Sequence, residues 1–80
     1  MNVGDKLTAI VPVQVSEDCC WEPGTTVQVI ERTDHDPSEY GSYAVELQSD
    51  DGQIGSFAEI DVHGEFAWFR PAIATLEGMV

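Results

Sequence analysis

Tyr43-Ala-Val-Glu-Leu47 alternates apolar and polar side chains and runs into Asp50-Asp51-Gly52. Strict alternation puts one set of side chains on one face of an extended chain. Tyr43, Val45 and Leu47 are therefore predicted inward, with Ala44, Glu46 and Gln48 outward. Asp and Gly tolerate the positive φ that tight turns require, so the pattern predicts a β-hairpin with Gln53–Phe57 as its return strand. A hairpin of this size is only marginally stable alone, and further strands must complete it.

Those strands are visible upstream. Lys6–Val15 alternates, with Leu7, Ala9, Val11, Val13 and Val15 on one face, and Pro12 demotes part of it to an edge or a bend. Ser16–Gly24 is polar and ends in the turn signal Pro23-Gly24. Thr25–Arg32 is β-branched and reads as another strand. Thr33–Ser42 holds Asp34, Asp36, Pro37, Ser38 and Gly41, which predict a loop. Phe57–Val62 is expected to be a short turn or a 3₁₀ loop leading to a last strand. His63-Gly64 is a further turn before Phe66-Ala-Trp-Phe69, and Pro71 blocks easy continuation. Ala72–Val80 reads as a short helix or a loose tail. No ten-residue helical period precedes residue 71, so the chain is expected to be mainly β, with five short strands in a small barrel or sandwich. The division expected is a domain over 1–70 and a tail over 71–80.

Three pieces share an order and spacing: Trp21–Ile30, Tyr43–Leu47 and Gly52-Gln-Ile-Gly-Ser-Phe-Ala-Glu-Ile-Asp-Val62. Together they resemble the SH3 patterns k-x-G-D-x-l-x-V-l, W-W-x-G-r-l and G-x-x-G-l-F-P-x-n-Y-V, over roughly Leu7 to Val62. The resemblance implies an SH3-like five-stranded small β-barrel with a short C-terminal extension. It implies a core of Ala9, Val27, Val29, Val45, Leu47, Ile54, Phe57 and Val62, with Gly55 where strands approach closely. Its ligand positions differ: the two tyrosines of A-L-Y-D-Y fall on Val11 and Val13, the stacking Trp on Ser42, and the Pro and last Tyr on Ala58 and Asp61. A polyproline groove needs aromatic walls, so binding of PxxP peptides is not carried over. What the resemblance retains is a pair of acidic loops, Glu17, Asp18 and Glu22 in the first, Asp34, Asp36 and Glu39 in the second.

Charge sharpens this expectation. Fifteen acidic side chains face three basic ones, for a formal net charge of −12, while the 42% apolar share is ordinary for a folded chain. Direct binding to nucleic acid or to an anionic membrane is strongly disfavoured. The alternatives are a charge that only maintains solubility or a partner with a basic surface. Met1-Asn-Val-Gly-Asp-Lys6 lacks the pattern of a signal peptide, and no apolar run approaches ~20 residues. Cys19 and Cys20 are adjacent, with Cα atoms about 3.8 Å apart, below the usual disulfide range. Reduced thiols in a cytoplasmic setting are expected.

Chemistry-bearing clusters are weak. Asp34-His35-Asp36 with Glu39 offers metal-ligand types, but neighbouring side chains do not converge without an unusual loop. Cys19-Cys20 lacks C-x-x-C spacing, a Cys–His nucleophilic pair has nothing to orient it, and no Gly-rich phosphate loop occurs. No metal, no cofactor and no enzymatic activity are expected. The function expected is a non-catalytic acidic module that docks on a basic protein surface through Glu17, Asp18, Glu22, Asp34, Asp36 and Glu39, helped by Trp21, Tyr40 and Trp68. Size and charge are similar to those of phage-type inhibitors that imitate DNA, of the anti-CRISPR or anti-restriction kind, which occupy nucleic-acid-binding sites. The other readings are a metal- or ligand-binding accessory domain and a structural subunit that assembles through an edge strand.

Overall fold

The computed structural model describes residues 2–72, so most of the expected tail, Ile73 to Val80, lies outside the described residues. Seven strands and one helical turn follow in order: β1 (Lys6–Ala9), β2 (Val13–Ser16), β3 (Cys19–Trp21), β4 (Thr26–Ser38), β5 (Gly41–Ser49), β6 (Ile54–Ala58), α1 (Glu59–Val62) and β7 (Phe69–Pro71). The chain is mainly β, as expected. All pairings are antiparallel. Five strands form one sheet in the order β6-β5-β4-β1-β7, and β2 and β3 form a second, two-stranded sheet.

The expected closed barrel is not present: the five-stranded sheet is open, with β6 and β7 at its edges. The β7 edge is only three residues long and ends in Pro71, which has no N–H to offer a further strand.

The continuous strand expected over Lys6–Val15 is broken at residues 10–12. Pro12 cannot donate to a ladder, and the flanking backbone bonds elsewhere. Ala9 N donates to Thr25 O (2.9 Å), Ala9 O accepts from Gly24 N (2.8 Å), and Ile10 N donates to Trp68 O (2.9 Å). Val11, expected inward, is exposed as a result.

The two sheets enclose the core. Leu7, Ala9, Val13, Trp21, Val27, Val29, Tyr43, Val45, Leu47, Phe57, Val62 and Phe69 make one buried cluster. Its aromatic part joins distant segments: Phe57 and Phe69 lie 5.4 Å apart between ring centroids, Trp21 and Phe57 5.8 Å, and Trp21 and Phe69 6.2 Å. Tilted and edge-on pairs of this kind add stability beyond area burial. Seven of the eight core positions implied by the resemblance are buried. Ile54 is the exception, at 49% exposed. It pairs with Gln48, and counting back in twos from inward Phe57 reaches Gly55, so Ile54 falls on the outer face. Gly55 is crowded instead: a Cβ there would meet Phe57 Cε2 at 2.8 Å and Val15 Cγ1 at 3.3 Å. That is where the β2–β3 hairpin packs on β6.

The loop expected over Thr33–Ser42 is largely strand. β4 runs thirteen residues to Ser38, and β5 starts at Gly41. The loop formers are absorbed as irregularities of one long hairpin, with register shifts at Val29/Glu31 and at Asp34/Ser38. Bulges of this kind bend a strand without ending it. The Asp50-Asp51-Gly52 turn forms as expected: Ser49 N donates to Gln53 O and Gly52 N to Ser49 O, both at 3.0 Å, and Gly52 has φ +93°.

Candidate interaction surface

The β4–β5 hairpin owes its placement to the bulge at Ile30. Val27 and Val29 point into the core, and uninterrupted alternation would send residues 31 and 33 after them. The extra residue shifts the phase: Arg32 pairs with Val45 and Asp34 with Tyr43, on the core-side face beyond the core itself. There the Arg32 guanidinium lies 4.1 Å from the Tyr43 ring centroid and bonds Asp34 Oδ1 through Nη2 (2.8 Å) and Nε (3.1 Å). Burial first, and then the nearby Glu59 carboxylate, push the Tyr43 hydroxyl pKa above its ordinary value, against the lowering effect of Arg32.

The hairpin end is tied to α1. Glu59 Oε1 accepts from Ser42 N (2.8 Å) and Ser42 Oγ (3.2 Å), and Ile60 N donates to Tyr40 O (3.3 Å). The bond from the Ser42 amide is the main cause holding the Glu59 carboxyl below the usual glutamate range; His63 and Arg32 add smaller contributions. Asp61 steadies the start of α1 by accepting from Ala58 N at 3.2 Å, the back-reaching half of a capping box.

Asp36, Glu39 and Tyr40 stand exposed at the hairpin end, with Asp34 beside them. Glu17 and Asp18 form the β2–β3 turn, also in solvent. Glu22 is placed differently: with Asp50, Asp51, Cys19, Cys20 and Trp21 it lines a cleft of about 370 Å³ between the β2–β3 sheet and the β5–β6 turn. Asp51 there accepts from Ser49 Oγ and from Gln53 N (3.2 Å), and the Ser49 bond is the leading reason its carboxyl sits below the usual aspartate range.

The aromatic candidates divide. Trp21, expected on the partner-binding surface, is 3% exposed and belongs to the core, with Nε1 buried and unbonded. β3 sends alternate side chains inward and the aromatic cluster fills the space around the indole. Tyr40 and Trp68 are exposed, the Trp68 ring resting edge-on against Phe57 at 6.3 Å. Phe66, at 86% exposed, is the most exposed large apolar side chain among the described residues, and Ile10 and Ile60 join it at the surface. Neither isoleucine is among the expected contact residues: Ile10 falls on the strand face opposite Leu7 and Ala9, and Ile60 in the segment expected to be a turn.

Cys19 and Cys20 are free thiols, Cys19 half-buried and Cys20 exposed. His35 Nδ1 lies 2.8 Å from Asp36 O. Among the described residues no three His, Cys, Asp or Glu side chains converge as a metal site, and no helix is long and apolar enough to cross a membrane. No protein family, curated protein or solved structure was found to match the chain.

Proposed function

We propose that this chain is a non-catalytic protein-binding module, built on an SH3-like arrangement of strands, whose acidic hairpin docks on a basic protein surface. The strand order β6-β5-β4-β1-β7, with a helical turn between β6 and β7, supports the SH3-like reading. The carrying observation is the distribution of charge. Asp36 and Glu39 project at the hairpin end, while two of the three cations are turned to internal work: Arg32 on Asp34 and Tyr43, and Arg70 on the carbonyl of Phe69 (3.0 Å). On the outer face of the sheet Glu31 stands directly opposite Glu46, an arrangement of like charges that costs stability alone. A basic partner relieves that repulsion and is steered to it.

In its sharper form, the module occupies a nucleic-acid-binding site by presenting carboxylates where phosphates would lie. An accessory role in binding a metal or small ligand draws less support, since among the described residues the carboxylates and thiols do not converge on a metal site. Assembly through an edge strand is disfavoured at β7 by Pro71.

The test is a titration of the ¹⁵N-labelled protein with a lysine-rich hydrophilic peptide at low and high salt. Shifts are expected at Asp36–Tyr40 and should weaken steeply with salt, because exposed charges are screened over ~10 Å at 0.1 M. Reversing Asp34, Asp36 and Glu39 to lysine should weaken binding more than the equal reversal at Glu22, Asp50 and Asp51. No binding at low salt, or equal loss from both triple reversals, refutes the acidic hairpin as the docking site. Displacement of duplex DNA from a basic DNA-binding domain tests the sharper form.

A further inference from the structure

The structure links exposed apolar residues that are far apart in sequence into an apolar ridge. Ile10 N donates to Trp68 O (2.9 Å), Trp68 N donates to Asp61 O (2.9 Å), and Ile60 N donates to Tyr40 O (3.3 Å). These bonds pair Ile10 with Trp68 and Ile60 with Tyr40, Trp68 also reaches Asp61 next to Ile60, and exposed Phe66 lies in the same 63–68 loop. The ridge is built on a firm base. Trp68 packs edge-on against core Phe57, and the loop is closed by Ala67 N to Gly64 O (3.3 Å), with Gly64 at φ +116°.

A Phe left 86% in solvent two residues from a half-exposed Trp is unfavourable for an isolated monomer and is typical of an interface anchor. Charge selects the occupant. Three of the five apolar residues have acidic neighbours in sequence: Glu39 beside Tyr40, Glu59 and Asp61 around Ile60, and Glu65 before Phe66. A second copy brings a further formal charge of −12 and is repelled.

We propose that this ridge anchors an amphipathic basic segment of the partner, with apolar side chains seated on Phe66, Trp68 and Ile10 and Lys or Arg side chains meeting the flanking carboxylates. The inference rests on the reading of the chain as a module for basic protein surfaces. It adds where the contact energy resides: the acidic hairpin steers, and the ridge holds.

Three synthetic peptides of equal length separate the possibilities when titrated into the ¹⁵N-labelled protein: a Lys/Leu amphipathic helix, a Lys/Ser hydrophilic chain and a Glu/Leu amphipathic helix. The Lys/Leu peptide is expected to bind at least about tenfold more tightly than the Lys/Ser peptide, the change expected from one or two good anchors. Its shifts should centre on Ile10, Phe66 and Trp68. Phe66→Ser should remove most of that advantage and leave the Lys/Ser affinity unchanged. Phe66 is so exposed that this variant should keep the native spectrum, which is the check on folding. Equal binding of both basic peptides at Asp36–Tyr40 overturns the ridge and leaves the acidic-module reading standing. Failure of every basic peptide to bind overturns both. Glu/Leu binding as tight as Lys/Leu, or dimers by sedimentation that Phe66→Ser abolishes, overturns the basic partner.

Discussion

Glu59 Oε1 holds Ser42 by both its amide and its hydroxyl, at 2.8 and 3.2 Å across seventeen residues of sequence. That contact ties the solvent-facing end of the β4–β5 hairpin to the helical turn after β6. It gives the acidic hairpin a fixed position relative to the Phe66–Trp68 ridge, although the two lie on different elements. Gly41 makes the approach feasible. It has φ +113°, and a Cβ there would fall 2.6 Å from Glu59 Oε1 and closer still to Glu59 Cβ.

Gly41→Ala is therefore expected to be the most damaging of the turn-glycine substitutions. Positive φ for a residue with a side chain costs about 1–3 kcal/mol, and the overlap with Glu59 adds a comparable amount. Gly24 has a similar φ of +99° with open space around it, so Gly24→Ala should show the backbone term alone. Urea denaturation of both variants checks the difference. Equal losses would mean that the Gly41–Glu59 contact is not tight in solution.

The Glu59 carboxyl gives the hairpin junction a pH dependence. Its folded-state pKa is depressed, chiefly by the Ser42 amide. Its stabilising contribution is thus complete above the ordinary glutamate value of about 4.3 and is lost as pH falls through the folded value. Glu59→Gln keeps an acceptor for Ser42 but cannot titrate. The wild type should lose a component of stability at acid pH that this variant lacks, read by denaturation at a series of pH values and by amide exchange at Ser42. Parallel profiles would show that the contact carries no linkage.

Two apolar positions that look equivalent in sequence should respond very unequally. Leu47 is fully buried and Ile54 is 49% exposed. Leu47→Ala is expected to cost about 2–5 kcal/mol, a large part of the ~5–15 kcal/mol typical of a domain. Ile54→Ala should stay near the roughly 0.5 kcal/mol of an ordinary surface change. A large loss at Ile54 would overturn the register of β6 against β5.

The adjacent thiols should separate by rate. Cys20 lies on the solvent face of β3 and Cys19 packs against the core. In the native protein a thiol reagent should label Cys20 quickly and Cys19 slowly. In denaturant without reductant both should label, as two unbridged thiols. Failure of both to react there would demonstrate a bond between them.

Alternation was enough to determine the local plan. Tyr43, Val45 and Leu47 face inward because the strand period is two, and Asp50-Asp51-Gly52 turns because Gly52 accepts φ +93°. Net charge, an additive property, was equally legible. Three features were decided only by the tertiary structure. The bulge at Ile30 changes which side chains of β4 share a face, bringing Arg32 and Asp34 to Tyr43; a one-residue phase shift leaves no composition signal. Trp21 is buried because rings from β6 and β7 close around it, so its aromatic character alone could not separate core from interface. The ridge depends on backbone bonds between distant segments, Ile10 N to Trp68 O and Ile60 N to Tyr40 O. Local pattern reports which way a side chain points from its own strand. Only the packing of one segment on another determines whether anything is there to cover it.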